Sequence, residues 1–403
     1  MQLAYLSLTN FRNYARLETA LPNSALVLHG ENAQGKTNFL ESIYYLATMH
    51  SPYTSIDRHL LHWATEDEPL PYARVSADVQ TRRARERLEV TLMIENGPDG
   101  SPRFRKVVKV NGVEKRVGQA VGVVTVVLFL PRDLALIEGA PADRRRFMDV
   151  TLSQIVPDYA EALDQYERTL PQRNALLRRI GEGVSQPKEL AYWDEQLVEA
   201  GARLIAGRQM FLRELEIEAQ RVHYDLTGRL ETLTLRYQPS FVPTAEGDGQ
   251  RSFEVLGFDL HREVSAAEVA PQFAEQLELE RGESIRRGVT LSGPHRDELR
   301  ILINERDAGL YGSRGQARTA VLALKLAERA WMGHRAGETP ILLLDDVAAE
   351  LDAKRREYLL ERVQDAGQTL ITTAELSIFP DSFLGRVPVW TVEAGRIRKP
   401  SSA

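Results

Sequence analysis

The strongest chemical signal is a run of eight residues, Gly30-Glu31-Asn32-Ala33-Gln34-Gly35-Lys36-Thr37, a complete G-x-x-x-x-G-K-[ST] string. Two glycines let the backbone curl so that successive N–H groups face a phosphate, and a helix starting near Lys36 adds the positive end of its dipole. Lys36 then reaches the β and γ phosphates of a nucleotide, and the Thr37 hydroxyl is a magnesium ligand. The second signal is Ile341-Leu342-Leu343-Leu344-Asp345-Asp346. Its apolar residues suit a buried central strand, and its carboxylates emerge at the C-terminal end, where open α/β sheets bind ligands. In that pattern Asp345 holds magnesium through water and Asp346 positions the attacking water, so Lys36 and Asp346 are the catalytic candidates and Thr37 and Asp345 the metal candidates. Either motif alone has a plain explanation, a chance string or a capped strand; the two together favour a nucleotide. A third element, Ser313-Arg314-Gly315-Gln316, opens a periodic helix. Ser313 is a natural N-cap and Gly315 permits close backbone approach, so by itself a capped helix accounts for it.

These residues need elements to hold them. Ala25 to His29 reads as a short buried strand, and Asn38 to Met49 has apolar residues at helical spacing, so 25 to 49 reads strand, loop, helix. Leu3, Tyr5, Leu6 and Leu8 mark an earlier amphipathic strand. The last portion has an α/β rhythm: a helix over Gly315 to Trp331, a strand over Ile341 to Leu344, a helix over Ala353 to Val363 and a strand over Thr369 to Thr373. Between 70 and 117, alternation at Leu88, Val90, Leu92 and Ile94, the turn-rich Asn96 to Pro102, and then Val107, Val108 and Val110 predict a β-hairpin. Asn111-Gly112 predicts another strand before the apolar run Val121 to Leu130. From Asp143 to about 236 the pattern is helical, in segments near 157 to 180 and 189 to 226. The second carries Trp193, Leu197, Gly201, Leu204, Phe211 and Leu215 near three-to-four spacing, the seam of two helices packed side by side in an arm. Pro239 to Ser252 reads as a loop and Pro271 to Arg287 as a further helix. The expected division is 1–150 and 286–403 as two parts of one head, with 151–285 as the helical insertion.

The chain has 403 residues, which suggests two or three domains with a core that needs no staples. With no cysteine, disulfides, Cys-ligated metals and thiol nucleophiles are excluded, and a reducing compartment fits. The start, MQLAYLSLTNFRNYARLETA, lacks a signal peptide, and no apolar run approaches the roughly 18 residues of a membrane span, so a cytoplasmic protein is expected. Eight Lys stand against 43 Arg, for which a G+C-rich genome is the simplest reason. Net charge is -6, but Arg74 to Arg116 alone carries +5, leaving -11 elsewhere. Arg82, Arg83, Arg85, Arg87, Arg103, Arg105 and Lys106 could line a sequence-independent surface for nucleic-acid phosphates, or a merely solvated hairpin. Aromatics do not interleave with them, so base stacking is not indicated. His59-x-x-His62 has no third ligand nearby, which disfavours a metal there.

The order glycine loop, Ser-x-Gly-Gln, carboxylate strand is similar to that of the ATP-binding-cassette superfamily. That resemblance implies that Ser313, Gly315 and Gln316 act in trans, touching the γ-phosphate of ATP bound to an opposite protomer. Lys36 and Asp345 are 309 positions apart, far more than a transporter cassette implies; the excess is the helical insertion, as in the SMC-like branch.

Over nearly the whole chain the sequence resembles the RecF family of bacterial recombination-mediator ATPases. The matching blocks are Asn10 to Tyr14, Gly30 to Thr37, Phe129 to Leu134, Gly139 to Asp149, Gln172-Arg173-Asn174, Ser292 to Asp297, Ser313 to Gln316, and Leu343 to Asp346 followed by Glu350-Leu351-Asp352. The resemblance implies an α/β fold: a P-loop ABC-type ATPase head, a mixed sheet with a β-hairpin subdomain, interrupted by a helical arm. It further implies a slow DNA-dependent ATPase using ATP and Mg2+ and dimerising on ATP. Its expected DNA is single-stranded, gapped or a junction, and its expected partners are RecR and RecO, with RecA loaded indirectly in repair, replication restart and the SOS response. Departures are Glu298 in place of a second Asp, Ala317 in place of a Gln, Pro171 inside a predicted helix that it should kink or end, and Ser51 to Arg58, which leaves open which arginine assists the nucleotide. Arg144 to Arg146 could equally serve packing, and a structural hydrogen bond is expected of His295. Two other readings are an SMC-like ATPase of a nuclease or defence system, which needs a further carboxylate-rich domain, and an ATP-dependent protein scaffold, which a DNA shift assay at low and high salt separates.

Overall fold

The Ala25–His29 strand is buried at each of its first four positions, as a strand covered on both faces must be. In the computed structural model, which describes residues 1–65, 68–96, 101–241, 263–364 and 367–400, it lies inside a six-stranded sheet. The strand order is Arg396–Arg398, Val389–Glu393, Ala25–His29, Thr369–Thr373, Ile341–Asp345, Val126–Phe129. All neighbours run parallel except the last hairpin, Val389–Glu393 with Arg396–Arg398. Parallel pairing brings the C-terminal ends of Ala25–His29 and Ile341–Asp345 to one edge, one strand apart, so Gly30 and Asp345 emerge on the same side.

A second six-stranded sheet is antiparallel, in the order Tyr14–Ala20, Gln2–Phe11, Tyr72–Gln80, Arg85–Asn96, Pro102–Val110, Val113–Lys115. Its inner face is the alternating set Ala73, Val75, Ala77 and Val79 with Leu88, Val90 and Leu92. The helix Lys36–Thr48 packs against both sheets, and its whole length from Phe39 to Thr48 is buried. A helix enclosed on all sides needs apolar residues all round; Phe39 to Ala47 supplies them except at Glu41, which Arg12 and Ser51 satisfy, and Ser42, which bonds the Phe39 carbonyl.

The chain divides into two compact units, Met1–Asp133 with Glu328–Ala403, and Leu134–Ala327. These limits differ from the expected 150/151 and 285/286. Helix Pro141–Ile155 packs on helices Tyr159–Gly181 and Leu190–Leu226, and strand Glu298–Ile303 pairs with Leu233–Gln238, so both belong to the second unit. The two long helices lie side by side, and Gly201 lies where a Cβ would come within 2.6 Å of the Phe273 ring.

Several expectations need correcting. Helix Tyr159–Gly181 runs on through Pro171 rather than ending there: buried Arg173, in the turn that follows, is fixed by bonds to Asp194 and Thr290 that hold the helix in place. The end of the stretch read as helical, to about 236, falls in a strand, Leu233–Gln238, that buries Leu233, Leu235 and Tyr237 on one face. The run 121–130 is strand only over Val126–Phe129. The expected helix 271–287 is two helices, Ala266–Leu279, capped by Ser265, and Arg281–Arg287. Parts of the expected turn at 96–102 and loop at 239–252 lie outside the described residues. Among the described residues no helix is long and apolar enough to cross a membrane.

Candidate nucleotide site

The glycine loop needs its glycines for different reasons. A Cβ on Gly30 would come within 2.3 Å of the Val392 carbonyl oxygen, whereas Gly35 adopts φ +113°, a left-handed conformation that side chains resist. The loop is held from outside by residues the motif does not contain. Asn13 Nδ2 donates to the Gln34 carbonyl (3.0 Å) and the Tyr14 hydroxyl to the Gly35 carbonyl (3.0 Å), both from the turn joining Gln2–Phe11 to Tyr14–Ala20. The C-terminal hairpin adds Gly395 N–H to the Gln34 carbonyl (2.9 Å) and Ala394 N–H to Gln34 Oε1 (2.7 Å). A loop tied by its carbonyls leaves N–H groups to converge on an anion.

Lys36 bends back over this loop, its Nζ donating to the carbonyls of Gly30 (2.7 Å) and Glu31 (2.8 Å). Burial pushes its ammonium below the usual lysine range, while Asp346 and Asp345 pull the other way. The cleft is lined by the loop, Thr37, Asn38 and both carboxylates.

Three hydroxyls converge on the buried Asp345. Thr37 Oγ1 (3.0 Å) and Thr372 Oγ1 (2.7 Å) donate to Oδ1, and the Tyr53 hydroxyl donates to Oδ2 (2.8 Å). Burial, and then the Asp345 charge, push the Tyr53 phenol far above its ordinary range, so it is a donor at any working pH. Asp346, half-buried at φ 57°, has its N–H fixed by Thr372 Oγ1 (3.0 Å). The chemistry of this set fits a magnesium ion: a threonine hydroxyl beside a buried carboxylate, 3.0 Å apart, offers the hard oxygens that ion takes directly or through its waters. Tyr53, Thr372 and Gln34's hairpin partners carry no sequence signature; Asn13 and Tyr14 do lie in a matching block.

In the second unit, Ser313 and Gln316 bond reciprocally: Ser313 N–H to Gln316 Oε1 (2.8 Å) and Gln316 N–H to Ser313 Oγ (3.2 Å). This is a capping box at the start of helix Arg314–Ala336. Gln316 Nε2 also donates to Glu231 (2.7 Å), and the Gly315 carbonyl accepts from Thr319 (2.8 Å). Ser313 and Arg314 are exposed, so the turn presents a capped, open helix end.

Other matching blocks are scaffolding bonds within that unit. Glu298 takes Arg144 with both oxygens (2.7 and 2.9 Å), and Arg145 donates to the Asp297 carbonyl (2.8 Å). Asn174 Oδ1 accepts the N–H and hydroxyl of Thr290, at 2.8 and 2.7 Å. His295 bonds the Tyr166 hydroxyl (2.7 Å) and the Thr290 carbonyl (3.3 Å), and burial pushes its pKa down to about 4.

The basic hairpin is less uniform than its count suggests. Arg85 and Arg87 share a face with Asp78 (3.5 and 4.0 Å), and Arg105 with Glu95 (3.3 Å) and Glu114 (3.8 Å). Arg82, Arg83 and Arg103 are exposed. Lys106 is a correction: the two-residue pleat turns it inward with Val108, where its ammonium meets Asp57 (2.6 Å), the Met49 carbonyl (2.9 Å) and the Tyr45 ring. It is not part of that outer face.

Comparison with known proteins follows the same lines. The family described as the RecF/RecN/SMC N terminal domain matches residues 2–382. The DNA replication and repair protein RecF of Chloroflexus aurantiacus is 40% identical over 406 residues, 98% of this chain and 99% of its own. A solved structure of the recombination mediator protein RecF-ATPrS in the RecFOR pathway is similar with a TM-score of 0.82 at 29% identity, over 99% of this chain and 98% of that one. That of RecF-ATP gives 0.80 at 30% identity, over 99% and 97%.

Proposed function

The chain belongs to the RecF family, replication and repair proteins of the SMC-type ATPases, and has that family's head fold; from this premise we propose that it is an ATP-switched clamp on DNA. The observation that carries the reading is the convergence of Thr37 on Asp345 beside Lys36 at the mouth of the glycine loop. Lys36 and the loop bind the β and γ phosphates of ATP, and Thr37 and Asp345 hold Mg2+. When bound, the ion offsets charge developing on the phosphates. Asp346 orients the water that attacks. Ser313, Gly315 and Gln316 face the γ-phosphate of ATP on a second copy, so ATP joins two heads and its slow hydrolysis parts them.

Residues 1–150 and 286–403 act as one head and 151–285 as its arm in this reading. The partner nucleic acid is single-stranded, gapped or junction DNA, bound through the exposed arginines Arg82, Arg83, Arg85, Arg87, Arg103 and Arg105 and stimulating turnover. RecR and RecO are the protein partners, a reading that the RecFOR pathway of the similar RecF structures supports; through them RecA is loaded in repair, replication restart and SOS induction, in the cytoplasm. Titration of the full chain with a non-hydrolysable ATP analogue and Mg2+ tests the site. Saturable binding is expected, lost in Lys36→Met; equal binding by wild type and variant would move the nucleotide elsewhere.

A further inference from the structure

Asp345 has two partners outside every motif, Thr372 on Oδ1 and Tyr53 on Oδ2. Tyr53 lies just past the helix Lys36–Thr48, and its hydroxyl takes the carboxylate oxygen that Thr37 does not. The phenol is braced at both ends. The Tyr53 backbone N–H donates to Ser51 Oγ (2.9 Å), Ser51 donates to Glu41, and Arg12 clamps Glu41 with two bonds of 2.8 Å. On its outer side the Arg132 guanidinium lies 4.7 Å from the ring centroid, within cation–π range.

A carboxylate turns about its Cβ–Cγ bond unless something holds it. Thr37, now a donor to Oδ1, must turn a lone pair toward an incoming cation, and Thr372 shares the same oxygen. The Tyr53 bond to Oδ2 needs no change when a cation, or a water it carries, comes to Oδ1. As the bond on Oδ2, it keeps Oδ1 aimed at Thr37 in both states. We propose that Tyr53, seated under Arg132, is a positioning residue for the metal site, fixing the rotation of the Asp345 carboxylate. The inference rests on reading the cleft as a magnesium–nucleotide site.

The test uses the full chain with Mn2+ in place of Mg2+ and a non-hydrolysable ATP analogue, with free Mn2+ read by electron paramagnetic resonance. Tyr53→Phe keeps the ring under Arg132 and deletes only the hydroxyl. Mn2+ affinity is expected to fall about tenfold or more, the size seen for partners that orient metal ligands. Analogue affinity in EDTA should stay equal to wild type, which separates metal positioning from loss of the cleft. An unchanged or tighter Mn2+ affinity overturns the proposal. If wild type itself takes up no Mn2+ with the analogue, the reading of the cleft fails instead. Should Tyr53→Phe not fold, Arg132→Gln serves: it leaves the hydroxyl but frees the ring, and an Mn2+ affinity equal to wild type overturns the proposal there as well.

Discussion

Thr37 and Asp345 are 308 positions apart in the chain and 3.0 Å apart in space, hydroxyl to carboxylate. The contact exists because two parallel strands, one strand apart, deliver the glycine loop and the carboxylate pair to one sheet edge. Removing either partner should abolish metal-dependent nucleotide binding. Asp345→Asn and Thr37→Val are expected to lower ATP turnover by about a hundredfold or more, several kcal/mol of lost charge stabilisation. Asp346→Asn should slow turnover similarly but leave binding of the ATP analogue intact. Steady-state kinetics alongside equilibrium binding checks both.

Gly35→Ala places a Cβ 2.5 Å from Asn13 Nδ2 at a φ of +113°. The strain should cost about 1–3 kcal/mol of stability and open the loop, while Gly112→Ala, at φ +80° with open space around it, should fold with a smaller loss. Denaturant midpoints of the two variants give the comparison.

His295 is held neutral by burial, its pKa pushed down to about 4 from an ordinary 6.5. In the unfolded chain it takes a proton as pH falls through 6.5, while the folded chain resists until about 4. Its contribution to stability is thus present above pH 6.5 and lost progressively toward pH 4, at most about 3 kcal/mol. His295→Gln should flatten the stability difference between about pH 7.5 and about pH 5, read by chemical denaturation. An identical pH slope in wild type and variant would contradict the account of this group.

Charge reversal of Arg82, Arg83 and Arg103 should weaken DNA binding and flatten its dependence on salt, by about one unit of slope for each phosphate no longer neutralised. Lys106→Met should leave DNA affinity unchanged and lower stability instead, because it strips Asp57 of its partner. Binding isotherms at several salt concentrations separate the two outcomes.

Much of this was legible before folding. The glycine string, the Asp-Asp strand, the two long helices and the parallel strands at 25–29, 341–345 and 369–373 are local patterns strong enough to read along the chain. The strand 233–238 was hidden because its partner at 298–303 lies beyond two helices, and pairing rather than propensity makes it a strand. Pro171 does not end its helix because tertiary bonds at Arg173 outweigh one missing helix hydrogen bond. Lys106 misled because a charge count carries no face, and the pleat assigns it inward. Tyr53 had no signature: its role comes from where the turn after the first helix places a hydroxyl, not from spacing to any motif residue.

The central claim is that ATP joins two copies through the glycine loop of one and the Ser313 turn of the other. Light scattering of the full chain with ATP and Mg2+ tests it most directly. A monomer that doubles its mass with nucleotide is predicted, with no doubling in Lys36→Met or in Ser313→Arg even though the latter still binds the analogue. A wild-type mass unchanged by ATP would contradict it.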